Sequence, residues 1–147
     1  MRDALIQLGV QIDIEDDMWT VHGVGANGFK RPSCALNMHN SGTALRLLGF
    51  AISRVGESIT IDGDSTLAAR IDSDFWGSLD LNVEFDSERT LPMKITGPIN
   101  RNSLPLNCRK TSQHLSAILL SMSFCILPVL EAEETEIKSF PQPTYQL

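Results

Sequence analysis

The sequence has few cysteines, and those it has form no recognisable site. Its three cysteines, Cys34, Cys108 and Cys125, are odd in number, and no two of them form a CxxC pair. This spacing indicates neither a disulfide framework nor a zinc site, so we expect reduced thiols and a cytoplasmic protein. The three histidines also lack ligand spacing, and no metal is expected.

Positive charge and long apolar runs are also scarce. The chain has 12 Lys and Arg residues against 18 Asp and Glu residues, which gives a formal net charge of -6. Proteins that bind nucleic acids concentrate positive charge, so no nucleic-acid partner is expected. The most apolar stretch, residues 115–130, is too short to span a bilayer and is interrupted by Pro128. The N-terminus lacks the apolar core of a signal peptide, and we expect no membrane association.

What the sequence does contain is a diverged internal repeat. The chain has 147 residues, 42% of them hydrophobic, so it can bury the core of one domain. Four short patterns recur in the same order: residues 8–13 match 81–86, 20–23 match 94–97, 36–37 match 106–107, and the polar cluster 40–43 matches 111–113. Each copy indicates strands, a polar turn, a helix and a further strand. The sequence therefore predicts a mixed α/β (α+β) fold of about two repeat units, roughly residues 9–80 and 82–147.

The two ends of the chain predict an incomplete domain. Residues 3–8 look like the last turns of a helix that no strand precedes, and residues 143–147 look like the start of another helix. Because an independent domain closes its own core, we expect residues 1–147 to form a single incomplete domain. Trp19 and Trp76 are expected to pack in or near that core.

A polar motif precedes the first apolar helical run and is typical of an anion site. Asn40 begins the sequence NSGTALR, in which Gly42 and Thr43 stand at the predicted start of a helix and Arg46 lies one turn inside it. Free backbone N–H groups and the helix dipole attract phosphate or carboxylate, and a glycine lets a ligand approach the backbone. Arg46 would add a fork of donors. The alternative interpretation is an ordinary N-cap followed by a surface arginine.

Two further clusters are candidates for the same site. Thr111, Ser112 and Gln113 follow two basic residues at the predicted start of a second helix, and they offer hydroxyl and amide groups to a phosphorylated polyol. Arg70 follows a strand and a turn that would bring it towards the first helix. The alternatives are a capped helix with a solvated basic loop and an ordinary turn.

Taken in order, these three clusters resemble the 5-enolpyruvylshikimate-3-phosphate (EPSP) synthase family. The family motif Asn-x-Gly-Thr-x-x-Arg matches Asn40 to Arg46. The motif Thr-Gly-Asp-x-x-Leu-x-x-Arg-Pro is similar to Ile61 to Ile71, with Ile71 in place of the proline, and Ser-Ser-Gln is similar to residues 111–113. His114 stands where the family has an aromatic or apolar residue. The resemblance covers nearly the whole chain.

The resemblance implies transfer of the enolpyruvyl group of phosphoenolpyruvate to the 5-hydroxyl of shikimate 3-phosphate, in aromatic amino-acid biosynthesis, without a cofactor. It implies that Gly42 and Arg70 contact phosphoenolpyruvate and that Gln113 touches both ligands. The other substrate-binding residues implied are Asn40, Thr43 and Arg46 around the first ligand, Thr111 and Ser112 for shikimate 3-phosphate, and Tyr145, which is similar to the tyrosine of a Ser-x-Pro-Tyr stretch.

The resemblance also implies that this chain is only part of an enzyme. The family fold has two domains, each of three βαβαββ units, and this chain would contain about two such units from the N-terminal part. The acid and base residues of the second domain have no counterpart here, so no catalytic residue is assigned and the chain alone is expected to be inactive. Two alternatives are a fragment similar to the sister transferase that uses UDP-N-acetylglucosamine and a non-catalytic module that binds phosphorylated metabolites.

Overall fold

The computed structural model describes residues 1–25, 28–79, 81–99, 103–105, 111–121 and 129–131. The helices are α1 (Arg2–Gln7), α2 (Gly42–Ile52), α3 (Ser65–Ala68), α4 (Ser73–Ser78) and α5 (Gln113–Ser121). The strands are β1 (Gln11–Glu15), β2 (Met18–His22), β3 (Leu36–Asn37), β4 (Ser58–Asp62), β5 (Asn82–Phe85), β6 (Met93–Thr96), β7 (Ser103–Pro105) and β8 (Val129–Glu131). No helix in these ranges is long and apolar enough to cross a membrane.

The largest sheet has four strands in the order β3-β4-β6-β5 and is mixed. β3 runs parallel to β4, and the chain crosses between them through α2. β6 runs antiparallel to both β4 and β5, with Ile59 opposite Ile95 and Val83 opposite the same residue on the other side. The prediction of a mixed α/β fold is therefore confirmed.

Helix α2 forms where the polar motif and the apolar spacing predict it. Ser41 is the N-cap, and its hydroxyl accepts a hydrogen bond from the Ala44 N–H at 3.1 Å. Leu45, Leu48 and Ile52 recur at helical spacing and are buried against the sheet core. The second predicted helix, α5, begins at Gln113 and packs against α2. Both helices therefore begin within two residues of their predicted starts.

The two tryptophans occupy opposite environments. Trp76 is only 1% exposed, as predicted, and its Cη2 lies 2.7 Å from the point that a Cβ on Gly49 would occupy. The prediction that Trp19 packs in or near the core is wrong, because its side chain is 57% exposed on the β1–β2 hairpin. No element in the described part of the chain covers that face of the hairpin.

The same order of elements occurs twice along the chain. A helix, an antiparallel hairpin and a parallel strand pair around a longer helix appear as α1-β1-β2-β3-α2-β4 and again as α4-β5-β6-β7-α5-β8. The four-stranded sheet nevertheless takes β3 and β4 from the first series and β5 and β6 from the second. The division into units at residues 9–80 and 82–147, and the single incomplete domain, stay predictions.

Gly97 is a position where the fold leaves no room for a side chain. A Cβ there would lie 2.4 Å from the backbone oxygens of both Ser53 and Val55. We predict that Gly97→Ala lowers the free energy of unfolding by about 1–3 kcal/mol or more, because the backbone around Ser53 and Val55 must move to admit the methyl group. Gly77→Ala in α4 is the matched control, since a Cβ at Gly77 meets nothing within 4 Å. Urea denaturation of both variants tests this, and equal stabilities would contradict it.

Candidate functional site

The candidate site forms where two parallel strands end. Leu36 and Asn37 of β3 pair in parallel with Ile61 and Asp62 of β4, so the loops that follow both strands leave the sheet at the same edge. These loops are joined by two backbone hydrogen bonds: the Met38 N–H donates to the Asp62 carbonyl at 2.8 Å, and the Asp64 N–H donates to the His39 carbonyl at 3.0 Å. The loop that carries Asn40 and the short helix α3 that leads to Arg70 are thereby brought together.

Arg70 is held at this edge by oxygen atoms from two segments. Its Nε donates to the Thr66 carbonyl at 3.0 Å, one helical turn back. Its Nη2 donates to the Asn40 carbonyl at 2.8 Å and also to the Asn40 side-chain Oδ1. Asn40 therefore fixes the direction of the Arg70 guanidinium through both its backbone and its side chain.

Arg46 and Gln113 connect the beginnings of α2 and α5. The Arg46 Nη1 donates to the Gln113 Oε1 at 2.8 Å, and its Nη2 donates to the Arg70 carbonyl at 3.2 Å. The Gln113 Nε2 donates in turn to the Thr43 hydroxyl at 2.8 Å. One amide side chain thus contacts both a residue at the mouth of α2 and an arginine one turn inside it.

Gly42 lies directly beneath the two guanidinium groups. A Cβ on this buried glycine would sit 2.6 Å from the Arg46 Nη1 and 3.8 Å from the Arg70 Nη1. The first N–H groups of α2 lack acceptors inside the helix, so backbone donors and both arginines are available in one small region. The structure therefore brings together Gly42, Arg46, Arg70 and Gln113, as the sequence predicts.

The site carries two positive charges whose hydrogen-bond acceptors are neutral, while the carboxylates of Asp72 and Asp64 act electrostatically on Arg46 and Arg70 respectively. Burial and, to a smaller extent, the positive charge of Arg70 lower the pKa of Arg46, while Asp72 acts in the opposite direction. Arginine stays protonated at neutral pH despite such a decrease. The hydrogen-bond acceptors of both guanidinium groups are carbonyl and amide oxygens. Among the described residues, the ion pairs within 4 Å involve other groups, so the arrangement favours an anion.

Thr111 and Ser112 lie next to this cluster, at the start of α5. The Thr111 hydroxyl accepts from the Gln113 N–H at 3.2 Å, and the Ser112 carbonyl accepts from the Ser116 N–H at 3.1 Å. Both residues are partly exposed. Gln113 connects them to the site, and no hydrogen bond among the described residues joins either of them to Arg46 or Arg70. Tyr145, the remaining predicted site residue, lies outside the described residues.

Two neighbours of the site were not predicted from the sequence. Asp72 is the N-cap of α4, accepts from the Phe75 N–H at 3.4 Å, and raises the pKa of Arg46. The sequence indicates a place for Asp72 near the site, because Asp72 lies two residues after Arg70 and precedes a short helix. His114 is buried and stacks on Phe75 at 3.7 Å between ring centroids, so it packs as an aromatic residue would.

Comparisons with known proteins agree on one family. A family model described as EPSP synthase (3-phosphoshikimate 1-carboxyvinyltransferase) matches residues 1–144. The 3-phosphoshikimate 1-carboxyvinyltransferase of Bradyrhizobium sp. is 30% identical over 116 residues, which are 78% of this chain and 24% of that protein. The protein of the same name from Lactococcus lactis is 33% identical over 131 residues, covering 89% of this chain and 27% of the relative.

A solved structure extends this similarity to the fold. EPSP synthase from Acinetobacter baumannii superposes with a TM-score of 0.70 at 30% identity, over 84% of this chain and 29% of that chain. The chain thus spans between 24% and 29% of the length of these three relatives.

The closeness of Gly42 to Arg46 generates a prediction about anion binding. We expect Gly42→Ala to weaken binding of inorganic phosphate about tenfold, because the new methyl group displaces the Arg46 Nη1 and removes a charge-assisted hydrogen bond of about 1.5–3 kcal/mol. The fold should persist, since the displaced atom ends a flexible side chain. NMR titration measures the affinity, and Gly77→Ala again serves as the control. Unchanged phosphate affinity in Gly42→Ala would contradict the assignment of the site.

Proposed function

This chain belongs to the EPSP synthase family, and on that premise we propose that it supplies part of the substrate-binding surface of an enolpyruvyl transferase. The reaction moves the enolpyruvyl group of phosphoenolpyruvate to the 5-hydroxyl of shikimate 3-phosphate and releases phosphate. Because the chain spans only 24% to 29% of the relatives described above, the activity belongs to the whole enzyme. The reaction serves aromatic amino-acid biosynthesis, and we infer a cytoplasmic location.

The observation that carries this proposal is the pair of arginines at the mouth of α2. Both substrates carry phosphate groups, and phosphoenolpyruvate also carries a carboxylate. Arg46 and Arg70 have only neutral hydrogen-bond acceptors in the described part of the chain, so a bound dianion would relieve their mutual repulsion. Backbone donors beside Gly42 would add to this attraction. The proposed ligand of this part of the site is phosphoenolpyruvate.

Gln113 supports a second ligand next to the first. Its amide already contacts Arg46 and Thr43, and the hydroxyl-bearing residues Thr111 and Ser112 precede it at the start of α5. Shikimate 3-phosphate offers both a phosphate group and hydroxyl groups to such donors. We propose that Thr111 and Ser112 bind this substrate, that Gln113 touches both ligands, and that Tyr145 contributes from outside the described residues.

Proton transfer requires groups that this cluster does not contain. The hydrogen-bond partners of the two guanidinium groups are an amide side chain, an asparagine and backbone carbonyls. None of these groups titrates near neutral pH, so none can act as a general acid or base. A general acid or base must lie within hydrogen-bond reach of the reacting carbon. We therefore propose that the chain binds substrate without turning it over, and that the remaining EPSP synthase polypeptide supplies the acid and base.

Ligand titration tests the substrate assignment. We expect the purified chain to bind shikimate 3-phosphate weakly and in preference to UDP-N-acetylglucosamine. Gln113→Ala and Arg70→Ala should each weaken binding of the two substrates about tenfold or more, since each removes an interaction of about 1.5–3 kcal/mol. The control is Arg31→Ala, which removes the same charge from an exposed residue. Arg31 pairs with Glu57 at 3.9 Å, and Glu57 precedes β4, whereas the site lies where β4 ends. Isothermal titration calorimetry provides the affinities.

The outcomes separate the competing interpretations. Binding that is insensitive to Gln113→Ala would overturn the substrate assignment, and preference for the UDP sugar would favour the sister transferase. A phosphate-release assay with both substrates should give no signal from the chain alone. Measurable turnover would show that the chain carries its own acid and base, contrary to the proposal.

A further inference from the structure

Thr90 has an unusual backbone conformation in the turn between β5 and β6. Its φ angle is 63°, in the left-handed region that β-branched residues rarely adopt. Residues in this region persist only where the surrounding structure imposes the conformation, and they are frequent at functional sites. Two questions therefore arise about Thr90: what imposes its conformation, and what the conformation achieves.

The β5–β6 turn, residues 86–92, fixes the backbone on both sides of Thr90. The Asp86 carboxylate accepts hydrogen bonds from the Glu88 and Arg89 N–H groups, both at 3.0 Å. The Asp86 carbonyl accepts a further bond from the Thr90 N–H at 3.1 Å. On the other side of Thr90, the side chain of Leu91 is buried in the core. The left-handed conformation is therefore built into the turn.

This conformation directs the Thr90 side chain towards the end of α3. The Thr90 hydroxyl donates to the Ala68 carbonyl at 2.9 Å, and the Arg89 carbonyl, at 2.5 Å, is a second acceptor for the same proton. Among the described residues, the bond to Ala68 is the hydrogen bond that joins the turn to residues 65–71. A cleft of about 440 Å³ lies between these two segments, lined by residues of both. The hydroxyl therefore bridges a cleft that side chains do not fill.

The Ala68 carbonyl belongs to the short segment that sets the position of Arg70. It also accepts a bond from the Ile71 N–H at 3.3 Å, and the Arg70 N–H donates to the Leu67 carbonyl at 2.9 Å. Helix α3 has only four residues, and a helix of that length has little stability of its own. Bonds from outside α3 therefore help to keep the backbone at Arg70 in place, and Thr90 supplies one of them.

We propose that Thr90 is a positioning residue for Arg70. Its bond to the Ala68 carbonyl holds the end of α3 so that the Arg70 guanidinium stays directed at Asn40 and Gly42. The inference rests on the proposed function, because it adds a residue that supports the phosphoenolpyruvate contact of Arg70. Without the hydroxyl, water in the cleft can hydrate the Ala68 carbonyl, so the fold persists while Arg70 becomes more mobile.

Hydrogen exchange of the Arg70 side chain tests the positioning without a ligand. Thr90→Val removes the hydroxyl but keeps the branched shape, whereas Thr90→Ser keeps the hydroxyl. We expect the Arg70 Nε–H, which donates to the Thr66 carbonyl, to exchange with water about threefold faster or more in Thr90→Val and at an unchanged rate in Thr90→Ser. NMR measures the exchange, with the signal assigned by its loss in Arg70→Lys. Equal exchange rates in the unmodified chain and Thr90→Val would overturn the proposal.

A second variant separates positioning from backbone strain. Thr90→Gly also removes the hydroxyl, but glycine adopts the left-handed conformation without steric cost, so this variant should fold even if Thr90→Val does not. We expect Thr90→Gly to show the same faster exchange at Arg70 while its midpoint in urea is no lower than that of the unmodified chain. A folded Thr90→Gly with unchanged Arg70 exchange would contradict the proposed role.

Titration with inorganic phosphate tests whether Thr90 acts through Arg70. Thr90→Val should weaken phosphate binding about threefold or more, since contacts that support a binding group keep it in its productive geometry, and Thr90→Ser should bind as the unmodified chain does. In an Arg70→Ala background, Thr90→Val should have no further effect. An equal loss in both backgrounds would overturn the proposal, because Thr90 would then act on the fold in general. If the unmodified chain bound no phosphate, the proposed function would fail, and the exchange measurement would still decide the role of Thr90.

Discussion

Two like charges held side by side by neutral oxygens are the constraint around which this site is built. Like charges that lie close together in a partly buried site repel one another, and the repulsion grows as water is excluded. In this chain burial lowers the pKa of Arg46 most, the positive charge of Arg70 lowers it further, and Asp72 raises it. The Asn40 oxygens and the Gln113 amide fix both groups without neutralising them. A site prepared in this way gains more from an anion than one whose arginines already contact carboxylates.

The geometry of the sheet makes this arrangement possible. Parallel pairing of β3 with β4 places two loop exits at one edge, and the Asp64 N–H to His39 carbonyl bond holds these loops in contact. Gly63 permits this approach, because a Cβ there would lie 2.8 Å from the His39 carbonyl oxygen. The same edge receives the N-terminus of α2, so the helix dipole and the arginine side chains act on the same point. The charge pair therefore depends on a tight backbone contact between the two loops that follow β3 and β4.

Local sequence patterns predicted the helix starts and the residues of the first motif, because caps and apolar spacing are properties of neighbouring residues. The position of Arg70 is harder to predict. A residue after a turn reaches the site only if β3 and β4 pair in parallel, and no local sequence pattern specifies that pairing. Asp72 was missed for a similar reason. The prediction for Trp19 is wrong because the size and apolar surface of tryptophan favour burial, but burial also requires another element to cover that face of the hairpin, which residue type does not specify. The family motifs suggest which ligands bind. The N-terminus of a helix alone indicates an anion but does not distinguish between many anions.

The charge pair and the exposed hairpin lie in different parts of the chain. The groups that hold Arg46 and Arg70 lie between residues 40 and 113, in segments joined by the α2 and α5 contact. The uncovered apolar face lies in residues 12–21, on strands outside the four-stranded sheet. None of the hydrogen bonds that fix the two guanidinium groups comes from that hairpin. The arrangement of the two charges therefore does not depend on hydrogen bonds from the hairpin.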